Sequence, residues 1–235
     1  MAGIKGIQLR HPSRIIRGNT KVREDNRDIW LEQYLDGLLS PGITNLGGSF
    51  HPSSLGNPCD RFLYLHYQGL LPGQEISSKL RRIFDHGNST QSRYENYFNQ
   101  LEFFVSREIP AVIDGPPIHG RADILLKIPE YGDYIVEVKT INDRGFGELR
   151  NAKEEHRIQL QIYLNILDIE KGGILYEDKN NQEIKIFGQR RDLVLWKGII
   201  DRCNRIMKME KLPSLESVEY VHDAKYCPCL GVADA

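Results

Sequence analysis

The chain has 235 residues and a formal net charge of -1, with 40% hydrophobic and 27% charged residues. This composition is that of an ordinary globular protein and excludes collagen, a coiled coil and a disordered chain. No run approaches the roughly 18 apolar residues of a transmembrane helix, and the first residues lack the apolar segment of a signal peptide. We therefore expect a cytoplasmic protein with no membrane partner.

Basic residues dominate the first part of the chain. Six of them precede the first acidic residue: Lys5, Arg10, Arg14, Arg17, Lys21 and Arg23. They predict either a solvated, flexible arm or an arm that binds nucleic acid, in which Arg10, Arg14 and Arg17 would contact DNA. Residues 23–39 have the pattern of a short amphipathic helix. We assign residues 1–50 to an N-terminal basic arm and helix.

Two further helices are predicted before the chain turns to strands. Ser53 or Ser54 is expected to cap a helix that ends just beyond Tyr67. Over residues 77–100, apolar side chains recur at steps of three and four, which predicts a long helix with one buried stripe. Gln91 is the polar residue within that stripe.

The periodicity becomes that of β-strands after about residue 102. Three strand-like runs, FFVSREI, GRADILLKI and YIVEVKTI, precede a helix over about residues 153–167. Two more strands and a helix over about residues 192–209 follow. We predict one α/β domain over residues 51–235, with a central mixed sheet flanked by helices and with N-terminal helical additions.

The second and third predicted strands carry charged residues that can meet. Alternation places Glu137 and Lys139 on one face of the third strand, and Asp123 interrupts an otherwise apolar second strand. A buried carboxylate needs a cation or a metal as its partner. On neighbouring strands, Asp123 and Glu137 would converge on one divalent ion, Mg²⁺ or Mn²⁺. Lys139 would then lie beside the activated water, as hydrolysis of a phosphodiester requires.

The helix that follows adds Gln159 and Tyr163, which lie on one helical face because they are four residues apart. Together, the GRAD sequence that ends at Asp123, the Glu-x-Lys sequence and this Gln-x-x-x-Tyr pair resemble the motifs of the PD-(D/E)XK nuclease superfamily. The resemblance is to its RecB-like branch, which includes CRISPR-associated exonucleases and the AddB nuclease domain. It covers most of the chain, from about residue 53 to residue 229.

This resemblance implies a restriction-endonuclease-like core and a role for each motif. Asp123 and Glu137 would bind the metal together with the main-chain carbonyl of Val138, and Lys139 would assist catalysis. The Gln-x-x-x-Tyr pair would contact DNA or orient the catalytic groups.

The first motif of the superfamily is altered in this chain. The superfamily usually has Gly-x-x-x-His on the helix before the sheet, where this sequence has Gln91 four residues after Gly87. Because glutamine is a poor direct ligand, we expect Glu95, one turn further on, to be the third acidic metal ligand, with His86 as the alternative. Gln91 and Arg121 are expected to contact DNA.

The four cysteines are predicted to be free of disulfides in a reducing compartment. Cluster-bearing RecB-like nucleases have one cysteine near the start of the core and three near the C terminus, which implies a [4Fe-4S] cluster on Cys59, Cys203, Cys227 and Cys229. A structural zinc and unligated thiols are the alternatives. Cys203 belongs to an apolar helical stripe, for which burial is a sufficient explanation.

The function we expect is that of a Mg²⁺- or Mn²⁺-dependent deoxyribonuclease, an exonuclease acting on DNA ends or single strands. A structure-specific endonuclease or nickase with the same site is one alternative. A catalytically silent DNA-binding subunit is the other, because the first motif lacks its histidine. The resemblance is to proteins of prokaryotes and phages, whose protein partners act in recombination, CRISPR adaptation or phage DNA metabolism.

Overall fold

The computed structural model describes residues 29–38, 47–71, 77–214 and 227–232. The basic residues predicted to contact DNA from the arm, Arg10, Arg14 and Arg17, lie outside the described residues. The chain divides into two units, residues 1–38 and 39–235. The described part of the first unit is helix α1 (Ile29–Leu38), which lies within the segment predicted to be helical and has no buried residue.

The second unit contains the other helices and the strands. In chain order they are α2 (Pro52–Leu55), α3 (Asp60–Tyr67), α4 (Ser78–Phe98), β1 (Phe104–Asp114), β2 (Pro117–Ile128), β3 (Gly132–Ile141), α5 (Asp143–Glu148), α6 (Glu154–Ile166), β4 (Lys171–Asp178), β5 (Ile184–Arg190), α7 (Leu193–Met207) and a 3₁₀ turn (Pro228–Gly231). Within the described residues, every helix is too short or too polar to cross a bilayer.

The five strands form one sheet in the order β1-β2-β3-β4-β5. Strands β1, β2 and β3 pair antiparallel, β3 and β4 pair parallel, and β4 and β5 pair antiparallel. A parallel pair needs a crossover connection, which α5 and α6 supply between β3 and β4. The predicted α/β core, a mixed sheet flanked by helices, is confirmed.

The two faces of the sheet are buried by different helices. Alternation sends Ile135 and Ile174 to one face, where they pack in a cluster with Leu160 of α6. Val136 and Leu175 point to the other face and pack in a cluster with Tyr94 of α4. A third cluster joins α2, α3 and α7. The sheet is therefore a middle layer whose charged residues need partners from α4 and α6.

The prediction of a single helix that begins at Ser53 or Ser54 is wrong. The structure has two helices there, α2 and α3, because Pro58 cannot continue a helix. His51 is the N-cap residue of α2. Cys59 caps α3, because its sulfur atom accepts a hydrogen bond from the backbone N–H of Phe62 at 3.3 Å.

Strand β1 is longer than its predicted run, which ended at Ile109. It continues through Pro110 to Asp114. A proline is tolerated there because β1 lies at the edge of the sheet, where one side of the strand has no ladder to complete. The sequence analysis also missed the short helix α5, whose first turn is capped by Asn142.

Candidate active site

The predicted carboxylates meet where strands β2 and β3 separate. The pairing of these strands runs from Ile128 opposite Gly132 to Ile124 opposite Val136. The next position of this register would place Asp123 opposite Glu137. There, the side chain of Asp123 instead accepts the backbone N–H of Val138 at 2.8 Å. A carboxylate thus replaces a backbone partner, and the interruption of the ladder exposes charged groups to a cavity.

The other motif residues form hydrogen bonds with Glu137 or with one another. Lys139 Nζ donates to Glu137 Oε1 at 2.7 Å, which confirms that both side chains lie on one face of β3. From α6, Gln159 Nε2 donates to Glu137 Oε1 at 2.7 Å and to the hydroxyl of Tyr163 at 3.1 Å. The structure therefore brings five of the predicted residues together: Asp123, Glu137, Lys139, Gln159 and Tyr163. Val138, whose carbonyl is a predicted ligand, lies between them on β3.

One oxygen of this arrangement has no partner. Glu137 is 1% exposed, and its Oε2 atom has no hydrogen-bond partner among the described residues. A buried carboxylate oxygen left unpaired is costly, and the adjacent carboxylate of Asp123 adds to the cost. The donor set consists of carboxylate oxygens beside a backbone carbonyl, which suits Mg²⁺ or Mn²⁺. A divalent cation therefore fits this position chemically.

Burial and the neighbouring charges shift the pKa values of Asp123, Glu137 and Lys139. Burial raises the pKa of Asp123 well above its ordinary value, and the charge of Glu137 raises it further. Burial also raises the pKa of Glu137 in spite of the adjacent Lys139. Burial alone would lower the pKa of Lys139, but the two carboxylates raise it above its ordinary value. Lys139 therefore stays a cation at neutral pH.

Two cavities meet at Asp123. The lysine cavity, about 800 Å³, is lined by Glu137, Lys139 and Gln159 and by the basic residues Arg81 and Lys179. The histidine cavity, about 590 Å³, is lined by Tyr163, Arg121 and two histidines, His51 and His119. Asp123 borders both. Basic side chains thus lie on each side of the carboxylates.

Close packing explains why position 120, in the GRAD sequence, is a glycine. A Cβ atom there would lie 2.5 Å from the Pro52 side chain and 3.3 Å from the Tyr163 ring. Glycine therefore lets α2 and α6 approach β2 closely next to Asp123. With a larger residue, α2 could not lie at this distance from the strand, and the Tyr163 ring of α6 would have to shift slightly.

The residues of the altered first motif lie at the edge of the site. Gln91 lines both cavities, and its Nε2 atom donates to Glu95 at 3.1 Å and to Glu108 at 2.6 Å. Glu95 is buried, also accepts from Arg107 at 3.1 Å, and lines neither cavity. His86 is exposed and is likewise absent from both linings.

Sequence reasoning missed Glu108. It lines the histidine cavity together with Asp123, and its Oε2 atom is 2.9 Å from Nε of Arg121, the remaining residue predicted to contact DNA. In the sequence it is one charged residue of a strand-like run. Only the pairing of β1 with β2 could have shown that it faces the site.

Three of the four cysteines form a buried group, the thiol cluster of Cys59, Cys227 and Cys229. The sulfur atoms of Cys59 and Cys229 are 3.7 Å apart, and those of Cys227 and Cys229 are 2.8 Å apart. Cys203 packs in the apolar cluster of α2, α3 and α7 and does not join them. The structure therefore assembles three of the four predicted ligands of a metal or cluster.

A buried arginine attaches the C-terminal cysteines to α3. Arg61 is fully buried and donates to the carbonyls of Pro213 at 2.6 Å and of Val232. The first lies before the 3₁₀ turn in the chain and the second directly after it. These bonds hold the turn with Cys227 and Cys229 against the start of α3, where Cys59 lies.

Comparison with known proteins identifies solved structures that share this fold. No protein-family model matches the chain. The crystal structure of SSO0001 superposes with a TM-score of 0.55 at 19% identity, over 88% of this chain and 94% of that one. LHK-Exo, an alkaline exonuclease from Laribacter hongkongensis solved in complex with dAMP, superposes with a TM-score of 0.50 at 18% identity, over 75% and 90%. The chain shares the fold of these proteins.

Proposed function

We propose that this protein is a metal-dependent deoxyribonuclease, an exonuclease that acts on DNA ends or single strands. The observation that carries the proposal is the buried Oε2 atom of Glu137, for which the described segments of the chain supply no hydrogen-bond partner, while Oε1 of the same carboxylate accepts a hydrogen bond from Lys139. A fold shared with an alkaline exonuclease supports a nuclease. The motif resemblance is in agreement with that likeness.

The cation would be held by Asp123 and Glu137, with the main-chain carbonyl of Val138 as a further donor. When bound, Mg²⁺ or Mn²⁺ supplies Lewis acidity, which polarises a phosphate and lowers the pKa of water. The residues of the chain do the rest. Gln159 holds the Glu137 carboxylate in one orientation through its 2.7 Å hydrogen bond to Oε1, which leaves Oε2 as the oxygen available to the cation.

Lys139 and Tyr163 act on the substrate side. The permanent charge of Lys139 offsets the negative charge that develops on the phosphate oxygens during hydrolysis. Burial, together with the charge of Glu137, raises the pKa of Tyr163 above its ordinary value, so its hydroxyl stays protonated and can donate a hydrogen bond. Both side chains line a cavity that Asp123 also borders.

The lining of the two cavities supports a phosphodiester substrate. Arg81 and Lys179 lie in the lysine cavity, while Arg121 lies in the histidine cavity. Phosphates on either side of the cleaved bond would therefore meet basic groups, although the net charge of the chain is only -1.

A cleavage assay tests the proposal. Wild type should degrade linear DNA with Mg²⁺ or Mn²⁺, and Asp123→Ala and Lys139→Ala should abolish cleavage while they keep DNA binding. Cleavage at the wild-type rate by either variant would remove the mechanism. Cutting of closed circular DNA would instead indicate the endonuclease or nickase, and inertness with both metals on all substrates would indicate a silent DNA-binding subunit.

We also infer that the thiol cluster binds a metal, either a [4Fe-4S] cluster or zinc. Three buried sulfur atoms lie within 4.8 Å of one another, which suits three thiolates on a single zinc ion, and an iron–sulfur cluster would require the sulfur atoms to move apart. Anaerobically purified protein should show either the broad visible absorption of an iron–sulfur cluster or stoichiometric zinc by elemental analysis. A colourless, metal-free protein would contradict this inference and leave the nuclease proposal standing.

A further inference from the structure

The position of Glu108 in the sheet is unusual. On β1, Arg107 pairs with Ile124 and Ile109 pairs with Ala122, so the residue between them lies opposite Asp123. Glu108 is absent from the ladder at this point, and its backbone has a φ of 52°. This left-handed conformation is disfavoured for a residue with a side chain, and such strain is concentrated at functional sites.

The charge of Glu108 acts on the other two carboxylates: burial raises the pKa of Asp123 and of Glu137, and Glu108 adds to both shifts. Two carboxylates at opposite positions of neighbouring strands repel each other. The structure thus combines a strained backbone and a like-charge pair in one residue, which borders the histidine cavity together with Asp123. A cation held by Asp123 and Glu137, and reached by a movement of the Glu108 side chain, would remove the repulsion.

Glu108 suits the role of third ligand better than Glu95 does. Both accept a hydrogen bond from Gln91, but only Glu108 borders a cavity with Asp123. Glu95 is buried against Arg107. The second partner of Glu108, Arg121, is 69% exposed and is free to turn into solvent.

We propose that Glu108 is the third carboxylate ligand of the divalent cation, and that Arg121 holds it when no cation is bound. The proposal rests on the metal-dependent function proposed above. Binding of the ion would transfer the carboxylate of Glu108 from Arg121 to the metal, while Gln91 keeps its hydrogen bond. Arg121 would then be free to contact a phosphate in the histidine cavity.

Titration with Mn²⁺, followed by calorimetry and by the loss of the free-ion electron paramagnetic resonance signal, tests this assignment without any cleavage assay. Glu108→Gln should weaken Mn²⁺ binding at least tenfold, whereas Glu95→Gln should change it less than twofold. Arg121→Gln should tighten binding, because it removes the cation that competes for Glu108. Circular dichroism and thermal melting confirm that each variant is folded.

The outcomes separate this inference from the one it rests on. If wild type binds no Mn²⁺, the proposed metal-dependent function fails. If wild type binds Mn²⁺ and Glu108→Gln binds it equally well, or if Glu95→Gln loses as much affinity as Glu108→Gln, the assignment of Glu108 is overturned while the function stands. Glu108→Asp, which keeps the charge on a shorter side chain, should bind Mn²⁺ more tightly than Glu108→Gln.

Discussion

Replacing Asp123 by asparagine should stabilise the metal-free protein and remove its response to metal. The carboxylate is desolvated beside Glu137, and its pKa is raised well above the ordinary value. A raised carboxyl pKa favours the fold at low pH, and that contribution is lost as the pH rises through the folded-state pKa. At pH 7.5, far above the ordinary pKa of a carboxyl group, Asp123 therefore destabilises the metal-free wild type relative to a neutral side chain. Asparagine removes it and can still accept the N–H of Val138.

The magnitudes follow from burial and mass action. A poorly satisfied buried polar group costs roughly 1–3 kcal/mol, so we expect the metal-free variant to gain about 2 kcal/mol, or about 4–8 °C in melting temperature. Mn²⁺ at a hundred times its Kd should stabilise wild type by about 2.7 kcal/mol. If the substitution weakens binding about a hundredfold, the same Mn²⁺ concentration gives the variant only about 0.4 kcal/mol.

Thermal unfolding in EDTA and in excess MnCl₂ measures both effects. The variant should melt higher in EDTA, and the difference should shrink or reverse in Mn²⁺. Asp114→Asn is a matched control, since this exposed carboxylate lies at the far end of β1 and should change neither melt. An Asp123→Asn protein that is less stable in EDTA, or that keeps the full Mn²⁺ response, would refute the reasoning.

Three further predictions concern ionisable side chains that are removed from solvent. Lys139→Met should destabilise the metal-free protein by roughly 3 kcal/mol in urea unfolding, because Glu137 loses its cation, and adding Glu137→Gln should restore most of the loss. Burial lowers the pKa of His156 to about 3, with Lys139 adding to the shift. Its contribution to stability is therefore lost as the pH falls below 6.5, by roughly 1 kcal/mol at pH 5 after allowance for solvent screening, and His156→Asn should flatten this dependence in melts at pH 5 and 7.5. Arg61→Met should cost at least about 3 kcal/mol and lower the metal content of the purified protein, because two carbonyls lose their donor. An unchanged melt in any of these variants would contradict the corresponding argument.

The motif residues were predictable because their geometry is local. Asp123 and Glu137 are separated by one hairpin, so strand alternation and a short turn are enough to bring them together. The partners on α6 follow from helical spacing. The break between α2 and α3 was also predictable, because the proline at position 58 cannot continue a helix that begins at Ser53.

The role of Glu108, and the side of the fold on which Cys203 is buried, could not be predicted for a different reason. The role of Glu108 depends on the register between β1 and β2 and on one left-handed backbone angle, and neither leaves a periodic trace in the sequence. The position of Cys203 depends on which apolar cluster α7 faces. Its helical stripe predicted burial, and the structure places it against Phe50 and Leu63 rather than with the other thiols.

The separation of β2 from β3 explains how a sheet can hold so much charge. Within a continuous ladder, an inward carboxylate has no donor, because the backbone N–H groups bond to the neighbouring strand. At Val138 the ladder stops, and the freed N–H binds Asp123. The helix α6 then supplies Gln159 and the strand itself supplies Lys139, so that one carboxylate oxygen, Oε2 of Glu137, finds no partner in the part of the chain that the structure describes. The fold therefore satisfies the motif except at the point where a cation would bind, which is why metal removal should cost stability as well as activity.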